Sequence, residues 1–228
     1  MKRLVLISLV VMTVVGVSAQ NIFFPSKEGM VLVYANLNAK GKADSYTRQV
    51  IKQVEGSGNN LSISYVAQIL DKNRKPIGNN PVEVPYTVTV TNGVVEWDMK
   101  SYAAPGTESL IEIEGDKLRI PSTLSPGEKL DDAKFTLTVN MGFKIRTEVS
   151  LTEQECLAIE DVTVPAGTFK CHKVTQTNAA TAMRKTVTTK TVTWYAPGIG
   201  TVKSETFNDK GKLQTSTELH AIENSIKN

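Results

Sequence analysis

Apolar and polar side chains alternate with a period of two along most of this chain. Leu61, Ile63 and Tyr65 alternate with Ser62 and Ser64, and Tyr86, Val88 and Val90 with Thr87, Thr89 and Thr91. Phe135, Leu137 and Val139 alternate with Thr136, Thr138 and Asn140. Successive side chains of a strand point to opposite faces, so each run predicts a strand with one buried and one wet face, as antiparallel sheets have. Turn signals separate the runs. Asn38-Ala39-Lys40-Gly41-Lys42 and Asn208-Asp209-Lys210-Gly211-Lys212 share one form, and Asp71-Lys72-Asn73-Arg74-Lys75 repeats it without the Gly. Asn92-Gly93 is a tight hairpin signal, and Pro126-Gly127 and Pro197-Gly198 mark corners. The count is about 12 to 14 strands, an all-β antiparallel fold. At most one or two short helical turns are expected, near Asp98–Ala103 and around Leu130–Ala133.

The segment Lys185–Tyr195 is rich in Thr and Val, which favour strands. Neither of its faces is strongly apolar. It reads first as an exposed edge strand whose lysines discourage aggregation. It also fits the wall of a partly wet cavity or a strand that pairs with a partner. Residues 103–127 change texture, with prolines at 105, 121 and 126. They mark either a subdivision of one β-rich domain spanning residues 20–228 or loops crossing the end of one sheet.

The chain opens with Lys2 and Arg3, an apolar run from Leu4 to Val15, and small residues at Val17-Ser18-Ala19. This predicts a signal peptide over residues 1–19, cleaved before Gln20. The run is about a dozen residues, short of the ~20 that a spanning helix needs. No Cys follows the expected cleavage site, and no later segment is apolar and long enough to cross a membrane as a helix. The expected location is therefore outside the cytoplasm. Loss of Lys2 and Arg3 lowers the net charge from the +3 of the whole chain. Such a balance does not point to nucleic acid, which wants a concentrated basic face.

Two cysteines, Cys156 and Cys171, flank the turn Val164-Pro165-Ala166-Gly167. A simple hairpin there places Cys156 opposite a residue near Thr175, leaving Cys171 about 13 Å away along the strand. A disulfide needs Cα atoms within about 7 Å. Bonding would need a bulge or another turn; otherwise the two are buried thiols.

Three stretches carry a family likeness. They are Phe24-Pro25-Ser26-Lys27-Glu28-Gly29 with Val31–Tyr34 and the Gly41-Lys42 hairpin; Val164-Pro165-Ala166-Gly167-Thr168-Phe169-Lys170-Cys171; and Trp194-Tyr195-Ala196-Pro197-Gly198-Ile199-Gly200-Thr201-Val202-Lys203-Ser204-Glu205. Across nearly the whole mature chain the sequence resembles a family of secreted Gram-negative envelope proteins. Some of its members are called TapB-like, and most carry a domain of unknown function. The resemblance implies a curved antiparallel sheet or open β-barrel similar to periplasmic lipoprotein carriers, and a periplasmic or cell-surface location. It implies no catalytic residues.

Candidate chemistry is sparse. His172 and His220 stand apart from any His-x-His or His-Glu-x-x-His pattern. Cys171 and His172 are adjacent on a strand and point to opposite faces, which denies them a shared zinc or catalytic role. Glu112, Glu114 and Asp116 share one strand face. They read as a solvated face, with calcium or a glycosidic pair as the sharper alternatives. Asp71-x-Asn73 lacks the Gly and Glu of a calcium loop and reads as a turn. Trp97 with Tyr102 could form a small aromatic platform or cap the core. No catalytic or metal-binding residue and no cofactor is assigned. The expected function is that of a non-enzymatic envelope protein binding a lipid-like ligand in the concavity of its sheet. The alternative is an interaction module that meets another envelope protein through a strand edge.

Overall fold

The computed structural model describes residues 21–77, 83–98 and 110–224. Thirteen strands follow one another: β1 Met30–Asn38, β2 Ala43–Ser57, β3 Asn60–Leu70, β4 Val84–Thr91, β5 Val94–Trp97, β6 Ile111–Gly115 and β7 Leu118–Pro121. They continue as β8 Ala133–Asn140, β9 Lys144–Val164, β10 Gly167–Ala182, β11 Lys185–Ala196, β12 Gly200–Asn208 and β13 Leu213–Asn224. All belong to one antiparallel sheet in the order β6-β8-β9-β10-β11-β12-β13-β1-β2-β3-β4-β5-β7. The strand count matches the alternation in the sequence. The expected helical turn at Leu130–Ala133 is instead extended chain laid against β9, where Leu130 N donates to Gln154 O at 3.0 Å. The turn expected near Asp98–Ala103 lies, apart from Asp98, outside the described residues.

The two strands at the sheet's ends, β6 and β7, are neighbours in sequence, joined only by Asp116 and Lys117. Three residues span at most about 11 Å. The sheet therefore curls until its edges approach at this link, although they do not pair and the barrel stays open. Asp116 fastens the link to β8: its N donates to Lys134 O, and Lys134 N donates to its Oδ2, both at 2.8 Å.

Three turns at one end of the sheet are built alike. Asn38, Asp71 and Asn208 each accept, on their Oδ1, the backbone N–H groups two and four residues on, at 2.8–3.3 Å. This is the local side-chain bonding that makes Asn and Asp turn formers. Gly41 and Gly211 sit at φ +72, and Arg74 takes the same left-handed place at φ 62.

The edge reading of Lys185–Tyr195 is corrected. β11 lies between β10 and β12 and pairs with β10 along its length. Its weakly apolar faces reflect a polar interior, described next.

Candidate functional site

The concavity is occupied by the start of the described chain. Ile22, Phe23, Phe24 and Pro25 are nearly fully buried. Phe23 sits against His172 and Tyr195, with ring centroids 4.8 and 6.0 Å away. Phe24 meets Tyr65 and Trp97 at 5.4 and 6.0 Å. The β11–β12 turn clasps this segment. Gly198 N donates to Ile22 O at 2.7 Å. Gly200 has φ +86, and a Cβ there would lie 3.3 Å from Phe23 O. Two of the three familiar stretches, Phe24-Pro25 and Trp194–Gly200, are thus one contact. The tip of the third, Val164–Ala166, folds onto the same region, where Ala166 N donates to Leu219 O at 3.3 Å and Val164 packs with Trp194.

Cavities of about 700 and 310 Å³ lie in the concavity and share Trp97 and Thr201. The larger lies where the sheet edges approach. One part of its wall is apolar: Trp97, Leu118, Ile120, Leu151 and Tyr195. The rest is polar, including Gln154, Gln176 and Thr193, with Asp131 and Asp132 at the rim. Glu96, only 12% exposed, is held by Arg119 at 3.0 Å and Lys117 at 3.3 Å. Burial pushes the Tyr195 hydroxyl up to about 12, so this group stays protonated and neutral. The smaller cavity is bounded by Phe24, Tyr34, Asn36, Gln49 and Tyr65, among others. Gln49 Nε2 is buried there and has no hydrogen-bond partner among the described residues.

Beside these cavities the sheet carries cross-strand hydrogen bonds instead of apolar packing. Asn36 Nδ2 donates to Ser45 and Thr47, Thr217 donates to Asn36 Oδ1, and Thr193 bonds Ser204. Asn178 Nδ2 donates to Thr191, which bonds Thr206. These bonds explain the polar texture of β11: Thr193 and Tyr195 line the larger cavity. The wet-wall alternative for this strand is the one its position supports.

The remaining candidates do not converge. Cys156 stands opposite Val174, and Cys171 opposite Glu160, so the hairpin keeps them apart; both are free, fully buried thiols. Burial raises both pKa values, that of Cys171 to about 11. His172 Nδ1 donates to Leu124 O at 2.9 Å, while its neighbour Cys171 packs in the cluster around Trp194. His220 meets Tyr46 edge-on. Glu112 and Glu114 are exposed on the edge strand β6, Asp116 is taken up by its bonds to Lys134 on β8, and no metal-holding cluster occurs among the described residues. Asp71 and Asn73 form the turn described above. Trp97 faces both cavities; Tyr102 lies outside the described residues. Ile22–Phe24 was missed as the centre of the site. The signal was available: three consecutive large apolar residues two positions after the expected cleavage point.

The sequence pattern of the DUF3108-like family matches residues 27–219. No curated protein sequence matches the chain. Among solved structures, a candidate exported protein with a YmcC-like fold from Bacteroides fragilis aligns with TM-score 0.70 and 25% identity, over 89% of this chain and 99% of its own. A candidate lipoprotein from Parabacteroides distasonis aligns with TM-score 0.73 and 23% identity, over 90% of this chain and 99% of its own.

Proposed function

The chain belongs to the DUF3108-like family, and on that premise we propose that it is an exported, non-enzymatic envelope protein that binds an amphiphilic, lipid-like ligand inside the curl of its sheet. The observation that carries this reading is the two-sided cavity of about 700 Å³. That volume is in the range of small-molecule sites, roughly 300–1,000 Å³. An acyl chain would lie along Trp97, Ile120, Leu151 and Tyr195. Each CH₂ removed from water is worth about 0.8 kcal/mol, before the costs of ordering and desolvation. The polar head would meet the Gln and Thr side chains of the far wall, Gln154, Gln176 and Thr193. The likeness of this chain to a solved candidate exported protein, beside the leader-like start of its sequence, supports an envelope setting, periplasmic or at the cell surface.

The test is native mass spectrometry of the processed protein recovered from its own envelope, before and after organic extraction. A mass excess that vanishes on extraction and is identified as lipid supports the reading. A bare polypeptide mass, together with a stoichiometric protein captured in a pull-down, would replace it with a partner-binding module using the outer edge of β6, which pairs with no other strand among the described residues.

A further inference from the structure

One end of the sheet carries features that the cavity does not use. Neighbouring strands are antiparallel throughout, so β1, β3, β8, β10 and β12 all finish at this end. On the β6–β11 half of this end five large apolar side chains stand exposed: Leu110 at 47%, Met141 at 71%, Phe143 at 62%, Met183 at 75% and Val187 at 56%. The register holds them together. Leu110 O accepts Asn140 N, and Asn140 faces Lys144 across the Met141–Phe143 turn. On β9, Thr147 faces Ala182 beside the Met183–Arg184 turn, and Val187 faces Ala180. Across β6-β8-β9-β10-β11 this fringe is about 20 Å wide.

Two further facts mark the fringe. Met183 and Arg184 are the central residues of a two-residue hairpin turn, with φ 48 and 65. Such turns strongly prefer Asn-Gly. The chain instead holds two long side chains in a strained backbone at its most exposed tip, which is where a function is to be sought. The charge is also mostly positive. Lys144, Arg146, Arg184 and Lys185 flank the apolar tips, against Glu112 on β6, which the register sets level with Thr138 and Arg146. The nearest carboxylate along β9, Glu148, is 3.6 Å from Arg146. The turns 38–42, 71–75 and 208–212 finish at the same end and add two, three and two basic residues against only Asp71 and Asp209.

We infer that this end of the sheet docks on an anionic lipid surface, with the Met141, Phe143 and Met183 tips entering the headgroup boundary and the surrounding cations meeting lipid phosphates. A soluble polyanion would satisfy the cations alone. Exposed Phe and Met gain only by leaving water, which a bilayer interface provides. The inference is independent of what the cavity holds.

Vesicle co-sedimentation of the exported form tests it. Binding is expected to phosphatidylethanolamine vesicles containing about one-quarter phosphatidylglycerol and to weaken in ~0.5 M salt. Phosphatidylcholine vesicles should bind far less. Phe143→Ser with Met183→Ser should weaken binding at least roughly tenfold, while Leu157→Ser and Ile159→Ser, on the other half of β9, should leave it unchanged. The double variant Met183→Asn, Arg184→Gly installs the residues the turn prefers. It should raise the melting temperature by roughly 2–4 °C and still bind vesicles less well, separating docking from folding. Equal binding to neutral vesicles, no binding to either, or binding indifferent to Phe143 and Met183 would overturn the inference. So would tip-independent capture by heparin in place of vesicles.

Discussion

Gly41 and Gly200 both adopt left-handed backbone, but for different reasons. Around Gly41 a Cβ would meet nothing, so only the conformation resists a side chain. Gly41→Ala should cost about 1 kcal/mol, read as a lowered urea midpoint. At Gly200 the Cβ would also press on the Phe23 carbonyl and Pro25. Gly200→Ala should cost about 2 kcal/mol or more, and equal losses at the two sites would refute the clasp. Asp71 shows a third device. Its backbone hydrogen bonds, led by that from Lys75, hold its carboxyl below the usual carboxylate range. A depressed folded pKa stabilises the fold above the unfolded value of about 3.9 and is lost as pH falls through the folded pKa. Asp71→Asn keeps the accepting oxygen and removes the titration. Thermal melts should therefore show little change at pH 6 and a shallower fall below pH 4. These turns were legible in the sequence because their hydrogen bonds close within four residues. The clasp was not, since it joins Gly198 and Gly200 to a segment far away in the chain.

Among the elements, the segment Ile22–Pro25 is the least like a strand and the most central. Phe23 is fully buried among Leu124, Leu130, Cys156 and Val174. It connects the first residues of the described chain with β9, β10 and the β7–β8 crossing. Phe23→Ala should cost about 3–5 kcal/mol, the range for truncating a fully buried aromatic, measured by equilibrium unfolding. A loss under 1 kcal/mol would mean that the segment is an ornament and not a core. Period-two alternation reveals strands but says nothing of a short irregular run whose partners come from distant strands. The same limit misplaced β11. Its Thr-rich faces resemble an edge when judged alone, and only the sheet order shows that they line an interior that is itself polar. Cys156 and Cys171 were better determined, because a hairpin with a known turn fixes separation by counting. The register places Cys156 opposite Val174, one residue from the expected Thr175.

At the scale of the whole molecule, two properties arise from topology and from no single segment. The first is the near closure of the sheet through Asp116 and Lys117, which creates the larger cavity. The second is the basic end: a chain with a formal charge of only +3 gathers its lysine-bearing turns on one side. Composition averages this polarity away, so a basic surface could not be expected from it. The two properties suggest separate tasks, filling an interior and meeting a surface, and the two tryptophans can tell them apart. Trp97 lines both cavities, whereas Trp194 lies under the β9–β10 tip, donating to Glu160 at 2.7 Å between Lys173 and Lys203. In Trp194→Phe the remaining emission reports the interior. A single-chain amphiphile below its micelle concentration should shift that emission to the blue and raise the melting temperature. Ligand-free vesicles should pellet the protein while leaving the emission in place. In Trp97→Phe neither addition should move the spectrum. An amphiphile that stabilises the protein without any change at Trp97 would place its site outside the curl of the sheet and remove the basis for the carrier reading, whatever the vesicles show.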